Sequence, residues 1–155
     1  VSLVAALEDP DRGDAEAVTK RLTGNLCRCS GYAALRGAPG VYTADWAETP
    51  TGRDFVKAMT KTHERLVASG VPAPHTARFC CTLVLAWPDG HDEVFPGVMK
   101  GELVWPMRGD QGHGYDPIFQ PEGYGTTFGE MDRDEKNRIS HRADAFRKLV
   151  AALDR

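Results

Sequence analysis

One run of ten residues, Arg78–Trp87 (RFCCTLVLAW), constrains the fold of this chain more than any other. It is almost wholly apolar or β-prone, which predicts a buried strand. Pro88-Asp89-Gly90-His91 supplies a turn after it. Glu93–Met99 reads as the return strand and Gly101–Trp105 as a further one. Cys80 and Cys81 are adjacent on the first strand, so their side chains point to opposite faces. Asp89, His91, Asp92 and Glu93 fall on the hairpin tip and read as solvated turn residues, not as a metal site.

Helices flank this β region. Thr49–Gly52 breaks the chain, and Phe55, Met59, His63 and Leu66 then step by about four residues, predicting a helix over Arg53–Ser69. Before it, Ala38-Pro39-Gly40 is a turn signal, and Val41, Tyr42 and Thr43 favour extended structure. Trp46 reads as a core or dimer-contact aromatic. At the other end Ala143, Phe146, Leu149, Val150 and Leu153 predict an amphipathic helix over Ala143–Leu153, with Ser140 as its N-cap. The expected class is therefore α/β: a β-sheet flanked by helices.

With 155 residues, the chain has the length of one domain with a real core. A net charge of −3 gives no basic footprint for nucleic acid, though a few local cations suffice for a nucleotide. No apolar run approaches a membrane span. The start, VSLVAALEDPDRG, has no basic n-region and is not read as a signal peptide; the expected location is cytoplasmic. The missing initiator Met points to a fragment.

The chemistry concentrates in Gly109–Arg142. Gly112 and Gly114 flank His113 and lead into Tyr115-Asp116-Pro117, where paired glycines let a ligand approach the main chain. Lys136 follows a second turn-rich patch. His141 and Arg142 fall in the first turn of the last helix, where the macrodipole disfavours cations. That placement suggests an anionic or electron-rich ligand. Two solvated side chains on a short helix is the plainer reading.

GYDPIF (Gly114–Phe119), TFGEM (Thr127–Met131), EKN (Glu135–Asn137) and SHRA (Ser140–Ala143), in this order and spacing, resemble the inosine triphosphate pyrophosphatase family. Gly37–Ala47 and Phe79–Trp105 resemble further blocks of it, and the likeness covers roughly Ala34 to Arg155. The resemblance implies an elongated mixed sheet flanked by helices, a possible homodimer, and magnesium-dependent hydrolysis of dITP, ITP and XTP to the monophosphate and pyrophosphate. It also implies a substrate site made of His113, Gly114, Tyr115, Asp116, Lys136, His141 and Arg142. In that site His141 and Arg142 read the 6-keto oxygen. Lys136 reaches the base edge or a phosphate, and Tyr115 or His113 stacks on the base. Asp116 takes the purine N1–H or holds Arg142. The family usually has Phe where this chain has His113.

Residues 1–33 form a separate unit in this reading, a short helical leader ahead of the α/β domain at 34–155. GNLCRCSGY (Gly24–Tyr32) is similar to part of the [2Fe–2S] module of the xanthine dehydrogenase family. A cluster needs four ligands. Cys27 and Cys29 supply two, and the other pair of that family is absent here, so two reduced thiols and no cluster are expected. The leader stands where the pyrophosphatase family has its Asp-Ser-Gly carboxylate, and either alignment puts Cys27 or Cys29 there. The family's phosphate-binding loop and metal-ligating Glu are missing too. Magnesium is thus implied without identifiable ligands. The expected activity is that of a nucleoside triphosphate pyrophosphatase impaired in this chain. The rivals are a nucleotide-binding remnant without turnover and an electron-transfer fragment.

Overall fold

The computed structural model describes residues 31–32, 39–87 and 90–153. The leader, including Cys27 and Cys29, lies outside the described residues, as does the boundary at 33/34. Strand β1 (Gly31–Tyr32) is followed by two single 3₁₀ turns, Gly40–Tyr42 and Asp45–Ala47, and by a small β2–β3 ribbon (Glu48–Thr49 and Gly52–Arg53). Helix α1 (Phe55–Ala68) leads to β4 (His75–Ala86) and β5 (Asp92–Leu103). A 3₁₀ turn at Asp116–Ile118, strand β6 (Phe119–Pro121), α2 (Arg133–Ile139) and α3 (His141–Leu153) complete the order. The sheet order is β1-β4-β5-β6, and every pairing between these strands is antiparallel.

The expected α/β class is present, and its hairpin is longer than the sequence suggests. Twelve pairs run from His75↔Leu103 to Ala86↔Asp92. The two expected return segments are one strand, because Lys100 continues the ladder opposite Arg78. The tip closes with Trp87 N–H donating to His91 O (2.9 Å) and the two rings stacked at 4.2 Å. His91, Asp92 and Glu93 are exposed there, but Asp92 and Glu93 already pair in β5 instead of lying in the turn, and Asp89 lies outside the described residues. Burial alternates along β4, with Ala77, Phe79 and Cys81 inward. Cys80 on the other face is half-buried, and burial pushes its thiol pKa up.

Three expectations shift. The segment around Val41 and Tyr42 is a 3₁₀ turn instead of extended chain, with Thr43 also helical in backbone and its N–H donating to Gly40 O (3.3 Å). Gly40 at φ 51° opens this turn, which outweighs the β preference of the next residues. Helix α1 starts two residues later than expected because Asp54 caps it, accepting from Lys57 N–H at 3.0 Å. The last helix starts at His141, and its inward residues are His141, Ala145 and Leu149; Phe146, Val150 and Leu153 are exposed. The apolar stripe read from the sequence therefore faces only partly inward. Close approach to β5 selects the small residue, since a Cβ on Gly97 would lie 2.8 Å from the Ala145 Cβ and nearer still to the backbone of α3.

The core joins both layers. Phe79 stacks on Phe119 (4.1 Å between centroids, 12°), and Phe128 packs on both. Met59, Leu66, Leu103, Ile118 and Met131 surround them. Aromatic contacts of this kind are worth ~0.5–1.5 kcal/mol each beyond the area they bury.

Gly97→Ala is expected to destabilise the fold by about 2 kcal/mol or more, because the added methyl overpacks the contact between β5 and α3. Backbone entropy alone argues the opposite sign, since Gly→Ala in a compatible strand stabilises by ~0.4–1 kcal/mol. The urea midpoint decides between them, and a midpoint at or above the wild-type value rejects the tight packing.

Candidate functional site

The candidate site is built where the loop after β5 folds back on the start of α2 and α3. Gly109, Gly112 and Gly114 have φ of 81°, 86° and 67°, so the loop needs residues that enter the left-handed region. Gly112 carries a second constraint. A Cβ there would overlap the Asp116 carboxylate. The glycines thus serve the approach of Asp116 to its own backbone, and the His113 N–H donates to Asp116 Oδ2. The 3₁₀ turn at Asp116–Ile118 then directs that carboxylate inward, where it is 3% exposed.

Asp116 meets Lys136, whose Nζ donates to Oδ2 in an ion pair. Lys136 is itself 8% exposed and lies over the Phe128 ring at 5.5 Å. Helix α2 delivers this lysine, and the sequence reading did not include that helix. Its signal was present. Asp132 is an N-cap accepting from Asp134 N–H (2.8 Å) and Glu135 N–H (3.4 Å), with Glu135 at the third helical position. A buried pair of this kind offsets a desolvation cost of several kcal/mol per ion only if both partners are held in place.

His141 opens α3 and is 6% exposed, edge-on to Phe79 at 5.3 Å. Burial, then the positive charges of Arg142 and Lys136, push its pKa down to about 3. The ring is neutral near pH 7 and acts through its N–H and lone pair, not as a cation. The Ser140 hydroxyl caps the helix, accepting from Ala143 N–H at 3.3 Å, as the sequence indicated. Arg142 follows on the exposed side, in the first turn.

Tyr115 belongs to the site's floor. It is 2% exposed, donates to Thr43 O (3.1 Å) and sits edge-on to Phe55 at 6.1 Å. Burial raises its pKa to about 12, against a hydrogen bond with Thr62. A ring so covered offers no open face to a base. His113 is exposed and packs against Phe55 at 5.6 Å, so it is the aromatic of the pair that remains accessible. The contacts of Phe55, Thr43 and Thr62 with the site escaped the sequence reading because nothing local ties them to a loop more than fifty residues later. The structure thus brings together Asp116 and Lys136 directly. His141 is coupled to Lys136 by charge, Tyr115 lies beneath, and Arg142 stands outward beside His141.

Among the described residues no group of three or more His, Cys, Asp or Glu side chains could hold a metal ion. Among the same residues no helix is long and apolar enough to cross a membrane.

The depressed His141 pKa has a testable consequence. The unfolded chain protonates this histidine below about pH 6.5, and the folded chain only near 3. The unfolded state therefore binds more protons between those values, and stability falls as pH drops through that window. The slope should be about 1 kcal/mol per pH unit from this group. Denaturation of wild type and His141→Gln between pH 7 and pH 5 checks it: the wild-type curve should fall more steeply, and parallel curves reject the assignment.

Comparison with known proteins follows the same residues. The model of the Ham1 family matches residues 31–152. The dITP/XTP pyrophosphatase of Ruegeria pomeroyi is 68% identical over 117 residues, covering 76% of this chain and 57% of that protein. The dITP/XTP pyrophosphatase of Agrobacterium fabrum is 56% identical over 128 residues, covering 76% and 60%. A solved Ham1 protein from Coxiella burnetii superposes with a TM-score of 0.74 at 34% identity, over 81% of this chain and 64% of that one. The Staphylococcus aureus Ham1 protein gives 0.73 at 31%. The chain spans 57–60% of the length of these two curated relatives. The match begins at residue 31, after Cys27 and Cys29, and takes in the whole of the candidate site. The chain belongs to the Ham1 family.

Proposed function

We propose that this chain carries the base-reading half of a nucleoside triphosphate pyrophosphatase site, specific for the 6-keto purine nucleotides ITP, dITP and XTP. The observation that carries the reading is the buried Asp116–Lys136 pair set beside a neutral histidine. A 6-keto purine presents an acceptor at O6 and a donor at N1. The Lys136 ammonium and a ring N–H of His141 donate towards O6, and Arg142 adds its guanidinium from the outer side. The second oxygen of Asp116 accepts the N1–H. Adenine reverses both groups, so it would set donor against donor and leave a buried partner unpaired, at ~1–3 kcal/mol each. His113 stacks on the base, a contact worth roughly 1–3 kcal/mol. Gly114 keeps its main chain open to the ligand, and Tyr115 supports the loop from below.

The relatives are named dITP/XTP pyrophosphatases, and the reading gives this chain the corresponding reaction, hydrolysis of a purine nucleoside triphosphate to monophosphate and pyrophosphate. Family enzymes of this type depend on a metal to neutralise the triphosphate and orient water. Among the described residues no such metal group is formed. The reading accordingly includes weak turnover. A nucleotide-binding protein without catalysis is the second reading, favoured by that same lack of a carboxylate cluster among the described residues. A cytoplasmic setting and a possible homodimer complete the proposal.

Two measurements on the purified chain test it. Pyrophosphate release from ITP in the presence of magnesium should be at least ~10³-fold slower than for a full-length relative, the scale of losing one major catalytic element. IMP should bind detectably and more tightly than AMP. Release at ~1–10³ per second would reject the impairment, and equal binding of IMP and AMP would reject the base-reading site.

A further inference from the structure

Two segments make the site, one bringing its acceptor and the other its donor, and their register depends on the bonds between them. The loop after β5 supplies Asp116, and the turn Thr127–Met131 runs beneath it into α2, which supplies Lys136. Gly129 N–H donates to Asp116 O (3.0 Å), Gln111 N–H to Gly129 O (2.8 Å), and Phe128 N–H to Phe119 O (2.9 Å). These bonds fix Asp116 only while the Thr127–Met131 turn keeps its shape. The Glu130 and Met131 N–H groups close the turn on Thr127 O (3.0 and 3.1 Å), and the Glu130 side chain fastens its first residue, Oε2 accepting from Thr127 N–H at 2.7 Å. Arg108 then ties the turn to the loop. Its Nε lies 3.5 Å from the same Glu130 oxygen, its Nη2 donates to Gln120 Oε1 at 2.6 Å, and its carbonyl accepts from Thr127 Oγ1 at 2.8 Å. The backbone is already crowded there. A Cβ on Gly129 would lie 2.6 Å from Arg108 O and 2.8 Å from Pro117 Cα, so the two segments meet main chain to main chain.

We infer that Glu130, held by Arg108, is a positioning residue for base discrimination: it sets the register between the Asp116 loop and the turn leading to Lys136. Neither side chain is placed to touch the base. Both are partly exposed, so their ion pair has little value as a charge interaction. Their value lies in geometry, because the acceptor for N1–H and the donor for O6 come from opposite sides of this clasp. The inference rests on the base-reading site proposed above.

The test compares the ratio of dissociation constants for AMP and IMP, measured by calorimetry on the full chain, with thermal midpoints taken in parallel. Glu130→Ala and Arg108→Met should each lower the AMP/IMP ratio about tenfold, the cost expected of a small misplacement in a preorganised site. Glu130→Gln keeps an acceptor for Thr127 N–H and should retain most of the ratio. Val84→Ala, in the core of the distal hairpin, loses stability without touching either segment and should leave the ratio unchanged. An unchanged ratio in both Glu130→Ala and Arg108→Met overturns the clasp while leaving the base-reading site standing. So does an equal loss in Val84→Ala, which would make stability the cause. A wild-type chain that binds IMP and AMP alike overturns the site and the clasp together.

Discussion

The ion pair of Asp116 and Lys136 is the interaction on which the rest of this structure depends. Two opposite charges, each under a tenth exposed, sit against Phe128 in the aromatic core. Removing either partner would leave a buried charge, a loss of ~3–5 kcal/mol. The surrounding elements serve to bring these two groups together. Strand β6 holds Phe119, whose carbonyl accepts from Phe128 N–H and so seats the Phe128 ring under the lysine; the capped α2 points the lysine inward, and the glycine loop bends Asp116 back to meet it. A hydrophobic pair of equal volume would be as stable or more so, which is why such a pair reads as a device for recognition.

The neutral state of His141 follows from the same arrangement. Burial disfavours its charged form, and the positive charges of Arg142 and Lys136 act in the same direction. The histidine thus adds directionality where another cation would add repulsion. It costs acid stability in return, since the unfolded chain is free to protonate it. Placing the ring at the first position of α3, with Gly97 admitting the helix close to β5, ties this small group to the longest ladder of the fold.

How much of this was legible in the sequence depended on the range of the interaction. The hairpin was legible because a strand run and its turn are contiguous, and Arg78–Trp87 names both its direction and its partner. The cap at Ser140 and the first-turn placement of Arg142 were legible for the same reason. Helix α3 was found but its buried face was not, because Phe146 and Val150 are as apolar as Leu149, and only the contact at Gly97 decides which side turns inward. The 3₁₀ turn at Gly40–Tyr42 overrode strand propensity through one glycine. In the site, Asp116, Lys136 and His141 were named from the family resemblance of the motifs that carry them. Their states were not. That Tyr115 is covered and His141 neutral depends on Thr43, Phe55 and Phe79, which approach from distant parts of the chain.

In the proposed site, the division of labour would let a base-reading half persist by itself. Its members lie within 113–142 and are joined by short backbone bonds, so much of the order they need is supplied locally by turns and caps, over a floor where Phe79 stacks on Phe119 and Phe128 is tilted against both. Phosphate handling differs in kind. It calls for several carboxylates converging on one hard cation, and such a set must be gathered from separate elements. A local motif survives changes elsewhere in the chain as long as its floor is packed, while a gathered one fails when a single contributor is displaced. Tyr115, pinned by Thr43 and Thr62 from the α1 side, is that floor's attachment to the body of the domain. The hydroxyl therefore works as a structural bolt: it holds the recognition loop to the fold at a point the ligand never needs to touch.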